Sequence, residues 1–272
     1  MQRTHTPPPG TAPGTAPGAV PAAVADAAGG YWHRRGLPTA PGQVVAAPTA
    51  PLLLLALLAA ACGDDASAGV VLPRPGAAWH AEQVRLLGRP LHPVPVPAEC
   101  GGVPDPFALL EAVGRARAAG GDPRVLLLSV ADDVTGTTAP PELLSEVCEA
   151  AAQEGLMIVS DETWRDTVHD PQDTVLVGPA EILHCAGRAA DAGTHPGDVR
   201  GTGPRTPAAP ARAAEETHAV VVLTAEAAGP ASARGPGFGA GVARLPAGRR
   251  GRELGERTRA ALAALHARLD GP

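Results

Sequence analysis

The sequence predicts an α/β protein with a doubly wound, mostly parallel sheet that is covered by helices on both faces. Two apolar runs, 124–130 and 156–160, lack the polar alternation of half-exposed strands, so both faces of these strands are expected to be buried. Helical segments separate such runs along the chain, as the connections between parallel strands require. The 272 residues suffice for one large domain of this kind or for two small ones.

Glycine or proline closes most of the predicted elements. The predicted helices cover 24–35, 52–61, 78–87, 107–119, 141–154 and 248–269. A short element begins at 44–45, and the predicted strands cover 69–73, 91–96, 124–130, 156–160 and 218–224. Because Pro93 and Pro95 interrupt the second of these strands, we expect it at an edge of the sheet.

Composition divides the chain into four parts. Residues 1–21 are rich in Pro, Gly, Thr and Ala and predict a flexible arm, whereas 22–184 predict the large domain. Residues 185–217 have no apolar periodicity and predict a disordered insertion. Residues 218–272 predict the remainder of the large domain and a C-terminal helix. The apolar stretch 52–61 is too short to cross a bilayer, which needs about 20 apolar residues, so we expect a buried helix.

Composition also excludes several classes of function. The net charge of −6 gives no general attraction to nucleic acid or to an anionic membrane. All 22 residues counted as Lys+Arg are arginines, so the chain holds no lysine, and a P-loop ATPase is excluded. His80, His92 and His169 lack the spacing of metal ligands and are expected on the surface or in turns. Four widely spaced cysteines without a C-x-x-C pattern favour buried or idle thiols in a reducing cytoplasm.

The segment 124–170 carries a resemblance to a known family. An apolar strand is followed by Ala131–Gly136 (ADDVTG), by a helix, and by a second strand that ends in Asp161–Trp164 (DETW). This order resembles the core of the class I/II aminotransferases, in which the first strand leads to Asn-Pro-x-Asn-Pro-Thr-Gly and the second ends in Asp-Glu-x-Tyr. Weaker similarity follows the same order at 31–39, 62–76, 105–110 and 218–242.

The resemblance implies pyridoxal phosphate as cofactor. In the family, an aspartate pairs with the pyridinium nitrogen, while Asn and Tyr donate hydrogen bonds to the phenolic oxygen of the ring. Asp161 matches the pyridinium aspartate. Asp133 stands where the second Asn of the motif belongs, and its carboxylate offers only an acceptor. Trp164 replaces the tyrosine and keeps an N–H donor on a larger ring.

The cofactor's phosphate and its covalent link depend on two further segments in the family. A Gly-led turn at a helix N-terminus, with an arginine, holds the phosphate. Pro48 takes the glycine's place in that turn, and the resemblance leaves Thr49 and Ala50 to face the phosphate. Ala77 stands where an aromatic ring stacks on the cofactor. The family's lysine forms the internal aldimine; Ala228 occupies its position, so no catalytic residue is carried over.

These substitutions predict a relative of the transaminases that is impaired in catalysis and binds pyridoxal phosphate non-covalently, if at all. The chain ends where the family's small C-terminal domain begins, so we expect that domain to be missing. One alternative is a non-catalytic scaffold or regulatory protein that reuses the large domain. Another is a remnant that folds poorly. The resemblance also implies a homodimer, with no nucleic-acid or membrane partner.

Overall fold

The computed structural model of the chain describes residues 22–132, 134–167, 176–193, 220–225 and 240–269. Strands and helices alternate through these ranges, as predicted. The helices are α1 (Ala22–Arg34), α2 (Ala50–Cys62), α3 (Ala78–Leu86), α4 (Pro106–Ala118), α5 (Pro141–Gln153), α6 (Pro179–Gly193) and α7 (Gly248–Leu269). The strands are β1 (Val44–Ala47), β2 (Ala68–Arg74), β3 (Leu91–Pro95), β4 (Asp122–Ser129), β5 (Met157–Asp161), β6 (Val220–Ala225) and β7 (Gly241–Arg244).

The described strands form one sheet in the order β1-β7-β6-β5-β4-β2-β3. The neighbours from β3 through β6 are parallel, while β7 runs antiparallel to both β6 and β1. This order confirms the mostly parallel sheet, and β3 lies at its edge as the prolines predict. The carboxyl ends of β2, β4 and β5 therefore meet at one edge of the sheet, where open α/β sheets place their ligands.

Helices cover both faces of the sheet. One apolar layer packs α1, α4, α5 and α6 against side chains such as Leu126 and Ile158. The other apolar layer packs α2, α3 and α7 against Val125 and Val159. These two residues are next to Leu126 and Ile158 in the sequence, and successive side chains of a strand point to opposite faces of the sheet. Helix α2 lies between the sheet and α7, which accounts for its almost uniformly apolar composition. The prediction of a buried helix at 52–61 is confirmed, and no helix in the described ranges is long and apolar enough to cross a membrane.

Two elements differ from the prediction. Strand β7 was not predicted, because it has only four residues and follows a Gly-rich run that carries no strand pattern. Helix α6 was not among the predicted helices. It continues to Gly193, so the predicted start of an insertion at residue 185 is wrong. The Ala-rich end of this helix resembles a loop in composition, although its apolar residues have helical spacing. Residues 194–217 and the predicted arm at 1–21 lie outside the described ranges.

Candidate functional site

Asp161 is the last residue of β5 and lies at the carboxyl edge of the sheet. It stands opposite Ser129 of β4, and its carbonyl accepts a hydrogen bond from the backbone N–H of Val130 at 3.0 Å. Its side chain is 3% exposed. A buried carboxylate needs hydrogen-bond donors, so its partners decide what else it can bind.

Both carboxylate oxygens of Asp161 are engaged. Oδ2 lies 2.8 Å from Nε2 of His80, which is in the first turn of α3 and is buried. Oδ1 accepts hydrogen bonds from the backbone N–H and the hydroxyl of Thr163, at 3.0 and 2.6 Å. The ring of Trp79 packs edge-on against His80, with 4.4 Å between the ring centroids. The side chain matched to the pyridinium aspartate is thus fixed by an imidazole and a hydroxyl.

The prediction that His80 lies on the surface or in a turn is wrong. Helix α3 begins only a few residues after β2 ends, and this short connection carries His80 across β4 to Asp161. Sequence reasoning missed it because the contact joins elements that are not adjacent in the sheet. The sequence did offer one indication of this contact, because parallel strands such as β2 and β5 end at the same edge of the sheet.

The segment matched to the phosphate turn caps its own helix. Oγ1 of Thr49 accepts a hydrogen bond from the N–H of Leu52 at 3.3 Å, and the Thr49 carbonyl accepts one from Leu53 at 3.1 Å. Pro51 has no N–H to offer. Ala50 is fully buried, and a Cβ at Gly241 would lie only 2.6 Å from its Cα. The N–H groups of Leu52 and Leu53 at the N-terminus of α2 are therefore bonded to Thr49, and β7 packs closely against Ala50.

Of the remaining predicted site residues Asp133, Trp164 and Ala228, the structure describes only Trp164. Trp164 lies in the turn after β5 with 42% of its surface exposed. Asp133 and Ala228 lie outside the described residues. Next to Asp133, Asp132 is buried; its Oδ2 accepts hydrogen bonds from the N–H and the hydroxyl of Thr135 at 3.1 and 2.6 Å. The turn of the family motif thus persists, held by a carboxylate.

A cavity of about 310 Å³ opens beside these residues. Ala77 and His80 line it from the α3 side, while Ser129 and Asp132 line it from the end of β4. Ala77 is the residue matched to the family's stacking ring. The methyl side chain at this position fills far less of the space than an aromatic ring would.

Glu162 forms a second buried polar cluster behind Asp161. Its side chain has no exposed surface; Oε2 lies 2.5 Å from Nη2 of Arg35 and 3.4 Å from Nη1 of Arg165. Glu181 of α6 binds both arginines. Burial raises the pKa of Glu162, and the two guanidiniums offset this only in part. Although burial lowers the pKa of Arg35, the carboxylates of Glu162 and Glu181 outweigh it and raise that pKa.

The family of the chain follows from its sequence. Residues 15–192, more than half of the chain, match the family model of Aminotransferase class I and II. The chain belongs to this family. No curated protein matches the sequence. The class I/II resemblance of the segment 124–170 is therefore confirmed, together with the fold that it implies.

Solved aminotransferases share the fold. The aspartate aminotransferase from Thermus thermophilus is 18% identical, with a TM-score of 0.62 over 88% of this chain and 50% of the other. The aspartate aminotransferase from Rhizobium meliloti is 17% identical, with a TM-score of 0.64 over 95% and 56%. N-Succinyldiaminopimelate aminotransferase from Mycobacterium tuberculosis is 20% identical, with a TM-score of 0.62 over 92% and 53%. The chain spans about half the length of these structures.

The described residues do not fit pyridoxal phosphate as class I/II aminotransferases hold it. The 272 residues contain no amine side chain for a Schiff base. Thr49 caps α2 with its hydroxyl, and Ala77 provides no ring to stack on the cofactor. Asp161 alone keeps the expected residue type, and His80 and Thr163 hold its carboxylate in place.

Proposed function

We propose that this chain is an aminotransferase class I/II protein that is impaired in transamination. The observation that carries the proposal is the absence of lysine from all 272 residues, with Ala228 at the position matched to the Schiff-base residue. An internal aldimine requires a primary amine that can lose its proton. Arginine does not replace it, because its guanidinium stays protonated and delocalised.

The geometry of the site supports this proposal. Because Thr49 already bonds the N–H of Leu52 and Pro51 has none, the N-terminus of α2 would offer a phosphate fewer backbone donors. Asp161 would then supply a single ion pair to the pyridinium nitrogen, and one such pair offers little affinity. Non-covalent binding of pyridoxal phosphate is accordingly expected to be weak.

The second candidate is a non-catalytic scaffold or regulatory protein built on the same domain. The observation that favours it is the intact packing: two apolar layers cover the sheet, and Asp105 caps α4 by accepting hydrogen bonds from two backbone N–H groups. Such consistency is typical of a chain that still folds and argues against a decaying remnant. We extend the proposal, by family resemblance, to a homodimer in the cytoplasm.

A reconstitution experiment tests the loss of transamination. The purified full chain is mixed with pyridoxal phosphate, and the aldimine absorbance, the cofactor trapped by borohydride and the conversion of an amino acid to its keto acid are measured. We expect no more aldimine absorbance and no more trapped cofactor on the folded chain than on the unfolded chain, and a rate equal to that of pyridoxal phosphate alone. The urea-unfolded chain is the control for nonspecific trapping. Cofactor trapped on the folded chain only, or turnover above the free coenzyme, contradicts the proposal.

A further inference from the structure

The edge strand β3 carries a histidine whose ring is closely packed. His92 pairs with Val71 of β2 and shares its face of the sheet, on the side where α4 packs against β3. A Cβ at Gly69 would overlap Nε2 of His92, and a Cβ at Gly121, which follows α4, would lie 3.4 Å from Cε1. The ring therefore fills a slot that two glycines leave open. The sequence predicts His92 on the surface or in a turn, whereas the structure places it in a strand with a partly buried ring.

One nitrogen of this ring is shielded from solvent. Nε2 of His92 has no hydrogen-bond partner among the residues that the structure describes. The Ala116 carbonyl at the end of α4 accepts the N–H of Gly121, at 2.9 Å. A neutral imidazole can carry its hydrogen on Nδ1 and leave Nε2 bare, whereas an imidazolium carries an N–H on both nitrogens. Protonation of His92 would therefore create a buried donor without an acceptor, which is costly.

No charged side chain compensates a proton on His92. The elements packed against the ring, β2, α4 and the start of β4, together with the segment that leads into β3, contribute the ionisable side chains Arg74, Arg89, Glu111, Arg115, Arg117, Asp122 and Arg124. Arg74 lies at the opposite end of β2 from Gly69. The other six are bonded to one another, to Asp65, to Glu154 or to backbone carbonyls. Burial is accordingly the cause that lowers the pKa of His92.

We infer that His92 is an acid-sensitive switch, which holds β3 against β2 and α4 while its ring is neutral and loosens β3 once the ring is protonated. Strand β3 can separate more easily than the others, because it lies at the edge and pairs with β2 alone. The pKa of His92 is lowered from 6.5 in the folded chain, so the open strand binds the proton more readily than the closed one. This contribution to stability is therefore present above pH 6.5 and is lost as the pH falls below that value. The switch involves neither Asp161 nor a coenzyme.

Hydrogen–deuterium exchange of the full chain, read by mass spectrometry, tests the switch. Exchange is compared at about pH 7.5 and about pH 5.5 and corrected for the intrinsic exchange rate at each pH. In the parent chain, we expect residues 91–96 to exchange roughly three to ten times faster at the lower pH, because one pH unit below the ordinary histidine pKa multiplies the population of the open strand by up to about ten. Residues 157–161 of β5, in the middle of the sheet, should not share this acceleration.

Two histidine variants show whether His92 is the group that takes up the proton. In His92→Gln the acceleration of residues 91–96 should disappear, whereas His33→Gln, at an exposed position of α1, should keep it. Each chain is compared with itself at the two pH values, so a general loss of stability in His92→Gln cancels.

Two results of the exchange experiment would overturn the switch. They are equal exchange of residues 91–96 at both pH values in the parent chain, and an acceleration that persists in His92→Gln. Should His92→Gln fail to fold, titration of the His92 ring in the parent chain by nuclear magnetic resonance decides the question. We expect a pKa below 6.5, and a pKa at or above that value would equally overturn the switch. Cofactor trapping in the reconstitution experiment would refute the proposed function without affecting this result.

Discussion

His80 and Asp161 show how one residue pair organises the edge of the sheet. The pair joins α3 to the end of β5 over the intervening β4, and both side chains are buried. A buried carboxylate that loses a donor pays a desolvation cost that exceeds the net gain of an ordinary hydrogen bond. The His80 imidazole is therefore held in place by its contact with Asp161, with or without a ligand in the site.

Replacement of His80 tests this pair. We expect His80→Ala to lower the free energy of unfolding by about 2 kcal/mol more than His80→Gln does, because glutamine retains an N–H donor near Oδ2 of Asp161. Urea unfolding at pH 7, followed by circular dichroism, gives both values. His33→Gln, at an exposed position of α1, is the control for a histidine without a buried partner. Equal losses for alanine and glutamine would show that packing, and not the hydrogen bond, holds the ring.

Cys148 gives the protein a defined alkaline sensitivity. Burial raises the pKa of this thiol from 9.0 to about 12. The folded state therefore keeps a proton that the unfolded state releases above pH 9, so this contribution to stability is present below pH 9 and falls as the pH rises towards 12. Between pH 8 and pH 10, we expect the free energy of unfolding to fall by about 1.4 kcal/mol less in Cys148→Ala than in the parent chain. In Cys185→Ala, at an exposed position, the free energy of unfolding should fall by as much as in the parent chain. An equal fall in Cys148→Ala would contradict the raised pKa of Cys148.

The two buried acids differ in how far the sequence could place them. The family resemblance placed Asp161 at the end of a strand, directly after the apolar run 156–160. Its partner His80, and the pairing of Glu162 with Arg35, were not predicted. The partners in these contacts are about 80 to 130 residues apart in the sequence. Hydrophobic periodicity predicts local structure, but it does not predict which distant side chain contacts a buried charge.

At the scale of elements, long periodic segments were predicted well and short ones poorly. Helix α7 and strand β4 lie close to their predicted bounds, because their apolar patterns continue over many residues. Strand β7 is short and antiparallel, and pairing with β1 and β6 stabilises it more than its own sequence does. The end of α6 was mistaken for an insertion since its composition is rich in Ala and Gly.

The cluster around Glu162 joins three elements. Arg35 follows α1, Glu162 follows β5, and Glu181 lies in the first turn of α6, so their ion pairs fix both helices against the sheet. We expect Glu162→Gln to lower the free energy of unfolding by about 3 kcal/mol, because Arg35 and Arg165 would then be held by Glu181 alone.

Chemical denaturation of Glu162→Gln measures this effect. Glu111→Gln is the matched control: Glu111 pairs with Arg115 on the exposed surface of α4, and its replacement should change stability by less than about 0.5 kcal/mol. Glutamine is also a neutral mimic of protonated Glu162. A loss near zero in Glu162→Gln would therefore indicate that burial keeps this side chain protonated in the native protein.

At the scale of the whole molecule, two apolar layers share one sheet. Trp32 is fully buried in the layer of α1, α4, α5 and α6, whereas Trp79 packs against the opposite layer. The strands between them supply side chains to both layers in alternation, so loss of one layer exposes the strands that support the other. This arrangement favours a single unfolding transition over separate melting of the two faces.

Two single-tryptophan chains test this coupling. Trp79→Phe/Trp164→Phe retains Trp32 as the only tryptophan and reports on one layer, and Trp32→Phe/Trp164→Phe retains Trp79 for the other; excitation at a wavelength that tyrosine does not absorb excludes Tyr31. We expect the fluorescence midpoint of each chain in urea to coincide with its own circular dichroism midpoint, because both layers depend on the same sheet. Each chain is compared only with itself, so any destabilisation by the substitutions cancels. If either tryptophan reported a transition before the loss of secondary structure, the two layers would be separate folding units. The scaffold proposal would then apply only to the layer that stays folded.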